Sequence, residues 1–514
     1  MTKLLPKECT TCCGLVGLAG PGSPFKRTCS DEVKGKLRRT IQSTDSHNIG
    51  FLIAENDPKR PLKEFYDVQT FAQLGSGGFG AVYRATHLAT QSQRAIKRIE
   101  KGETNSQEMV TTELVSLLEL DHPHVCKVFE WFEDEHAVYI VTELAAGMEL
   151  GDFAQDNKMR VLFKQLLTAI AYCHSKNIVH RDLKMENCLV VSVGNEDVLK
   201  IIDFGLAAIK KGSGEDLELN LTLGTPLYMS PAVVCKKSFY GEKCDVWSAG
   251  IILYMLLTCE HPFITDPREG KNMELVFRRI MHSDIRREPL TDQGVSKEET
   301  ELVEMMLRKN AAERPSALQL VQSSAWLQSL KGDHCHIRAR KHLTWATVYT
   351  SKADQFEKRL LSVVARLGKA EDIMNVRKSF AQLDQNHDGL LSKSEVGHAF
   401  EMAGLAQSQE TIATVFDALD TDNSGYVEYT QWMAATLEPE IIESEDSALA
   451  SMEFLRTDPR GITQRDLARF ISDGDASDVL NRWDTDKDGV LNLDELKAVL
   501  KNIANRRRQS TMHH

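Results

Sequence analysis

Between Phe71 and about Leu330 the spacing of apolar residues changes period once. FAQLGSGGFGAVYRAT and RAIKRIE read as strands, whereas VLFKQLLTAIAYCHSKN repeats its apolar residues every three to four positions, as a helix does when one face meets a core. That order predicts a small sheet lobe followed by a helical lobe. Residues 1–65 mix Gly, Pro, Ser and Lys without sustained period, so an irregular extension is expected. Residues 331–352 are polar and basic (HIRARKH) and read as a linker. After it, ADQFEKRLLSVVARLGKAED puts Phe356, Leu360, Val363, Val364 and Leu367 at helical spacing with Lys358, Arg359 and Arg366 between them, which predicts a basic amphipathic helix. Four helix-loop-helix units follow, about 35 residues apart, and form an internal repeat. The expected units are therefore an extension 1–65, a two-lobed domain 66–330, a basic junction 331–372, repeat pairs 373–436 and 437–505, and a basic tail 506–514.

Composition narrows the setting. A chain of 514 residues exceeds what one core usually serves. Its net charge of −12, with acid concentrated after about residue 370, argues against nucleic acid as the main partner and suits cation binding. The eleven cysteines are scattered, most within apolar runs, as reduced thiols are. No stretch matches a membrane span or a secretory leader, so a cytoplasmic location is expected. Thr2 stands where N-myristoylation demands Gly, which excludes that anchor; Cys9, Cys12 and Cys13 leave palmitoylation or half a zinc site open.

Two of the repeats hold complete sets of oxygen ligands. DQNHDGLLSKSE offers Asp384, Asn386, Asp388, the Leu390 carbonyl, Ser392 and Glu395. DTDKDGVLNLDE offers Asp484, Asp486, Asp488, the Val490 carbonyl, Asn492 and Glu495. Glycine at position six and a bidentate acid at twelve suit Ca²⁺, and an aliphatic at eight lets neighbouring loops pair. DTDNSGYVEYTQ keeps Asp420, Asp422, Ser424, the Tyr426 carbonyl and Glu428 but ends on Gln431. It retains the formal charge of the first loop and loses the bidentate grip, so a weakened calcium site with poorer discrimination against Mg²⁺ is expected. LRTDPRGITQRD keeps Ile462 for pairing but places Arg, Pro and Thr among the ligand positions, and reads as a structural partner that binds nothing.

The first domain carries phosphate chemistry. GSGGFGAV sets Gly75, Gly77, Gly80 and Val82 as GxGxxGxV, a backbone cradle for phosphate oxygens. RAIK follows at strand spacing, offering Lys97 to the phosphates, and Glu113 lies sixteen residues on in a helical stretch, able to hold that lysine in register. VHRDLKMENCLV brings Asp182, Lys184 and Asn187 into one loop, and KIIDFGLA ends a strand with Asp203. Together they supply a carboxylate for an incoming hydroxyl, an ammonium against developing phosphate charge, and two oxygen ligands for Mg²⁺.

On these motifs the segment resembles eukaryotic protein kinases over about 260 residues. The resemblance implies Asp182 as catalytic base, Asn187 and Asp203 as metal ligands, and Lys97 with Glu113 as the activating pair. It also implies an ATP site that includes Ala95, Lys97, a gatekeeper at Thr142, a hinge at Glu143 to Ala145, and Glu149 on the ribose side. Lys184 and Thr225 look like the serine/threonine branch. Glu149 and Glu186 match acids that receive an arginine upstream of the target serine. His180 and Phe204 read as packing residues, and Asp245 as an acid that orients the catalytic loop. Where the family has APE, this chain has Ser230, Pro231 and Ala232, so Arg314 lacks its usual carboxylate and needs another acceptor. Leu221 replaces the usual activating threonine, with Thr222 beside it.

The whole of residues 71–500 resembles the calcium-dependent protein kinases of plants and protists. The implied fold is α+β: a bilobal protein kinase followed by an all-α, four-EF-hand calmodulin-like domain. The implied function is ATP-dependent phosphorylation of protein substrates with Mg²⁺, restrained by the junction helix until Ca²⁺ loads the EF-hands. Arg338, Arg340, Lys341, Lys358 and Arg359 are the residues that could imitate a basic substrate. A calcium-responsive pseudokinase scaffold, favoured only by Ala232, and a small-molecule phosphotransferase are the rival readings.

Overall fold

The computed structural model describes residues 29–40, 53, 60–77, 80–101, 104–154, 156–210, 217–218, 224–235, 239–329, 336–369, 372–405 and 407–511. Cys9, Cys12, Cys13, Leu221 and Thr222 lie outside them. The extension is not irregular throughout: α1 (Cys29–Thr40) starts with Asp31 and Glu32 in its first turn, where acids favour a helix N-terminus. It buries Cys29 and Val33 and packs on α2 (Thr104–Glu119), with Cys29 Sγ 3.7 Å from Thr111 Oγ1.

The first lobe is a five-stranded antiparallel sheet ordered β1-β2-β3-β5-β4, with β1 Ala72–Gly77, β2 Gly80–Thr86, β3 Gln93–Glu100, β4 Val128–Glu133 and β5 Ala137–Glu143. A bulge between Gln73 and Gly75 re-aims the β1–β2 turn. Gly80 is there for its backbone: φ is +124°, and a Cβ would stand 2.1 Å from the Arg98 carbonyl oxygen. A Cβ on Gly75 would meet nothing within 4 Å, so that glycine leaves space on the loop.

The second lobe is helical. α3 (Met159–Ser175) buries Leu162, Phe163, Leu166, Leu167 and Ile170 at helical spacing, and α4 (Lys243–Thr258) is apolar all round because it runs through the core. A hairpin of β6 (Cys188–Val193) and β7 (Glu196–Ile201) sits between the lobes and carries the catalytic loop on its entering side.

The expected linker 331–352 is largely a helix, α5 (His336–Lys352), with Leu343, Trp345, Ala346 and Tyr349 buried. α6 (Gln355–Leu367) opens on an Asp354/Glu357 capping box and buries Phe356, Leu360, Val363 and Val364. Two of its bases are not solvent-facing as the sequence suggested: Arg359 and Arg366 are buried. Both helices share one core with the EF-hands, packing on α7 (Tyr429–Thr436); α6 also meets α8 (Glu445–Leu455), and α5 meets α9 (Leu493–Thr511). Residues 506–511 of the expected basic tail continue α9. Buried Arg507 donates to the Ala434 and Leu437 carbonyls at the C-terminus of α7, where a cation meets the negative end of the helix.

Candidate active site and calcium loops

β3 and α2 deliver the central ion pair. Lys97 Nζ lies 2.6 and 2.9 Å from the two Glu113 oxygens and 2.7 Å from Asp203 Oδ1. Burial works against the charge on Lys97, but Glu113 and Asp203 outweigh it and hold the ammonium protonated above the usual lysine range. Asp203 itself, despite burial, is held below the usual carboxylate range by Lys97. Its backbone has φ +60°, a left-handed conformation that a non-glycine residue adopts at a cost of about 1 kcal/mol, so tertiary packing fixes this turn. Part of that packing is Phe204, edge-on to His180 at 4.7 Å.

The catalytic loop hangs from Asp245. Its carboxylate accepts the His180 and Arg181 amides at 2.9 Å each and His174 Nε2 at 2.9 Å. Asp182 then projects with both oxygens engaged: Oδ1 accepts the Thr225 amide (2.8 Å) and hydroxyl (2.7 Å), and Oδ2 accepts Lys184 (2.8 Å). Lys184 also reaches Thr225 Oγ1 at 3.2 Å, and Asn187 Nδ2 donates to the Asp182 carbonyl at 2.9 Å. The structure thus brings Lys97, Glu113, Asp182, Lys184, Asn187, Asp203 and Thr225 to one cleft between the lobes.

Other residues named from the sequence line its rim. Ala95 pairs with Thr142 across β3–β5, and Val82 pairs with Lys97 across β2–β3. At the hinge the Glu143 carboxylate turns away to accept the Lys127 amide at 2.9 Å and Lys200 Nζ at 2.8 Å, and the Glu143 amide donates to the Lys127 carbonyl at 2.9 Å. Ala145 is half-buried, and Glu149 and Glu186 are exposed. Arg314 is 1% exposed and finds carbonyls instead of a carboxylate, donating to Lys243 O at 2.5 Å and Arg308 O at 2.7 Å over the Trp247 ring. Burial pushes its pKa down to about 10.

The loops differ in what satisfies them. In the fourth, the oxygens of Asp484, Asp486 and Asp488 converge within 4.8 Å, a donor set that fits a hard divalent cation. In the first, Asp384 accepts the Asp388 and Gly389 amides and Glu395 accepts the Gln385 amide, while the Leu391–Val427 bridge pairs it with the second loop. In the second, Gln431 Nε2 donates to Asp422 Oδ1 at 3.1 Å and its Oε1 accepts the Glu428 amide at 2.7 Å, so the amide feeds protons toward a loop that wants oxygens. Ser424 Oγ donates to the Tyr426 carbonyl at 3.0 Å. The third loop does not fit a cation. Buried Asp466 is already satisfied by the hydroxyls of Thr457 (2.7 Å) and Thr463 (2.8 Å), and Ile462 pairs with Leu491 beside Val490.

Sequence reasoning did not reach the face between the kinase domain and the EF-hands. Arg366 donates to Asp121 Oδ1 (3.2 Å) and the Val128 carbonyl (3.3 Å), and Thr430 gives Asp121 both amide and hydroxyl (2.6 and 2.7 Å). Lys176 pairs with Glu428, and Arg377 with Glu196. The available signal was an arginine on the apolar side of α6. Two junction bases stay within the junction: Lys341 lies over Trp345 of its own helix, and Lys358 of α6 lies over Tyr349 of α5. The Arg338 side chain lies outside what the structure describes, and Arg340 is exposed.

A cleft so furnished is that of a protein kinase, and the chain belongs to that family: the protein kinase domain matches residues 68–327. An EF-hand domain pair matches 373–437 and a further EF hand 477–500. Within the kinases the relatives are calcium-dependent. The chain is 30% identical over 416 residues to Calcium-dependent protein kinase 5 of Plasmodium berghei (strain Anka), covering 79% of this chain and 71% of that protein. It is 28% identical over 492 residues to Calcium-dependent protein kinase 5 of Plasmodium falciparum (isolate 3D7), covering 92% and 84%. With Calcium-dependent protein kinase 10 of Arabidopsis thaliana it shares 29% over 456 residues, 84% and 80% of the two chains. The protein is a serine/threonine protein kinase that uses ATP and Mg²⁺ on protein substrates and binds Ca²⁺.

Proposed function

We propose that this kinase phosphorylates serine or threonine in basic sequences and that Ca²⁺ binding to the EF-hands relieves a restraint transmitted through the junction. The carrying observation is the pair of Asp182 oxygens, one on Thr225 and the other on Lys184. Thr225 occupies one face of the carboxylate, so a substrate hydroxyl approaching the other face gives its proton to Asp182 while Lys184 meets the charge on the transferring phosphoryl group. Asn187 and Asp203 would hold Mg²⁺, which neutralises phosphate charge. Lys97, pinned by Glu113, orients the α- and β-phosphates. Glu149 and Glu186, both exposed, offer carboxylates to a substrate arginine.

For the restraint, α5 and α6 belong to the EF-hand core and Arg366 ties them to the first lobe, so a rearrangement of that core pulls on the kinase domain. Moving such a switch from 1:99 to 99:1 needs about 5.5 kcal/mol of differential binding. One site preferring the active state by roughly 100-fold supplies about 2.7 kcal/mol. Two complete loops barely suffice.

The test is transfer of labelled phosphate from ATP to a basic serine peptide, with Ca²⁺ and with chelator. Calcium-stimulated incorporation that disappears in Lys97→Met is expected. Equal turnover by the intact chain and by a form ending near residue 330, in chelator, would remove the restraint. Incorporation by neither would favour the scaffold reading.

A further inference from the structure

The second calcium loop faces the kinase domain, and the kinase domain answers with a cation. Lys176, the residue that ends α3, places its ammonium on Glu428, the ninth position of that loop. Glu428 is 6% exposed and the Lys176 side chain is half-buried, so the pair is shielded on its Glu428 side and less screened than an ion pair in open solvent. A second kinase residue lies in the same electrostatic neighbourhood. Glu119, at the end of α2, has its Oε1 sealed from solvent with no hydrogen-bond donor among the described residues. Glu428 holds the ammonium directly, and Glu119 and Asp422 lie within its electrostatic reach. Farther along the same helix, Lys164 approaches the first loop at His387 (3.2 Å), so α3 lays a basic residue against each of the paired loops.

We propose that Lys176 is a built-in surrogate cation for the second loop. While the EF-hands sit on α3, the ammonium occupies the charge position of a divalent ion at Glu428, and Ca²⁺ enters only by displacing it. Ion binding at this loop and docking of this face then oppose each other. The Gln431 substitution fits this arrangement: a loop without its bidentate acid is weak enough for a lysine to compete with calcium. The loop's own acids, Asp420, Asp422 and Glu428, keep the site attractive to Ca²⁺ once the lysine withdraws.

The proposal rests on the reading that the EF-hands bind Ca²⁺, and isothermal titration of the full chain separates the two. The first and fourth loops serve as internal references in each trace. Lys176→Met keeps the apolar stem and removes the charge; a Ca²⁺ event at least tenfold tighter than the weakest event of the parent is expected, with the reference events unmoved. Lys176→Arg, which keeps the cation, should leave the weak event within about threefold of the parent. Adding Glu428→Gln to Lys176→Met should abolish the gain. Unchanged affinities in Lys176→Met, with a parent-like melting curve, overturn the proposal while leaving the reference loops intact; so does an equal gain in Lys176→Arg. Absence of any binding event in the parent would instead remove the underlying reading.

Discussion

The two EF-hand pairs are copies of one repeat, and the kinase domain treats them differently. In the first pair Asp384, Glu395, Asp420 and Glu428 are buried, and residues of both loops touch Lys164, Tyr172, Lys176 and Gln322 of the second lobe. In the second pair Asp486 and Asp488 are exposed, and the neighbouring loop has replaced its ion by two threonines. A ligand list alone ranks the first and fourth loops as equals. Their surroundings separate them: an ion entering the fourth loop meets water and preformed carboxylates, whereas one entering the first pair also changes an interface. The fourth loop is therefore the simpler sensor, and the first pair couples ion binding to domain contact.

The comparison breaks most readily at Arg366. Removing it by Arg366→Ala leaves Asp121 with only the two bonds from Thr430, in a site where both partners are buried. Loss of one partner of a buried pair costs about 3–5 kcal/mol, so this variant should show a large drop in melting temperature or separate the two domains in small-angle scattering. Arg482→Ala removes a pair, half in solvent, between the second EF-hand pair and Asp354 at the start of α6. Its expected loss is below about 1 kcal/mol. Equal losses would mean that the docked face contributes nothing special.

These residues show where sequence reading stops. Lys97, Glu113, Asp182 and Asp203 were legible because each sits in a motif whose spacing is set by one strand, one helix or one loop. Arg366 was read as a solvent-facing base because its burial depends on Asp121, 245 residues away. Residues 331–352 looked like a linker because their basic start masks a core face of Leu343, Ala346 and Tyr349, which has meaning only once α7 and α9 are present. The tail 506–514 looked free for the same reason: Arg507 finds its acceptors at the end of another helix. Gly80 was assigned to phosphate access, but the Arg98 carbonyl and a positive φ demand it first. Local chemistry was readable, and long-range burial of charge was not.

At the fourth loop Glu495→Gln should weaken Ca²⁺ binding by about tenfold or more, near 1.4 kcal/mol, while domain separation in scattering stays as in the parent. A coupled change in docking would show that the exposed loop is wired to the kinase after all.

The docked face also carries a pH signature. Lys127 lies against the Tyr429 ring beneath the first pair, and burial, reinforced by Lys200, lowers its pKa to about 7. With the folded pKa below the unfolded one, the folded chain binds fewer protons between pH 7 and the ordinary lysine range. Stability should therefore rise with pH across that window and be flat, with the full penalty of burying charge, below it; the slope is at most about 1.4 kcal/mol per pH unit. Lys127→Met should flatten the slope relative to the parent in denaturant melts at pH 7 to 9. An identical slope in both would place the ammonium in water and open the interface there.

The smallest effect belongs to Gln431→Glu, and it compares the second loop with the first and fourth directly. The new side chain keeps the oxygen that accepts the Glu428 amide at 2.7 Å but turns the 3.1 Å donation to Asp422 into repulsion between carboxylates. The ion-free loop is thereby raised in energy, and the ion-bound loop gains a bidentate ligand, so both changes favour binding. Lys176 still holds Glu428, which caps the gain at roughly threefold to tenfold, about 0.7–1.4 kcal/mol. Because Ca²⁺ tolerates seven or eight oxygens and Mg²⁺ insists on six, the gain should be larger for Ca²⁺ when both ions are titrated in millimolar competition. An affinity equal to the parent's, or a gain that favours Mg²⁺, would show that the twelfth position of this loop never reaches the ion, and that its difference from the other two lies wholly in the lysine.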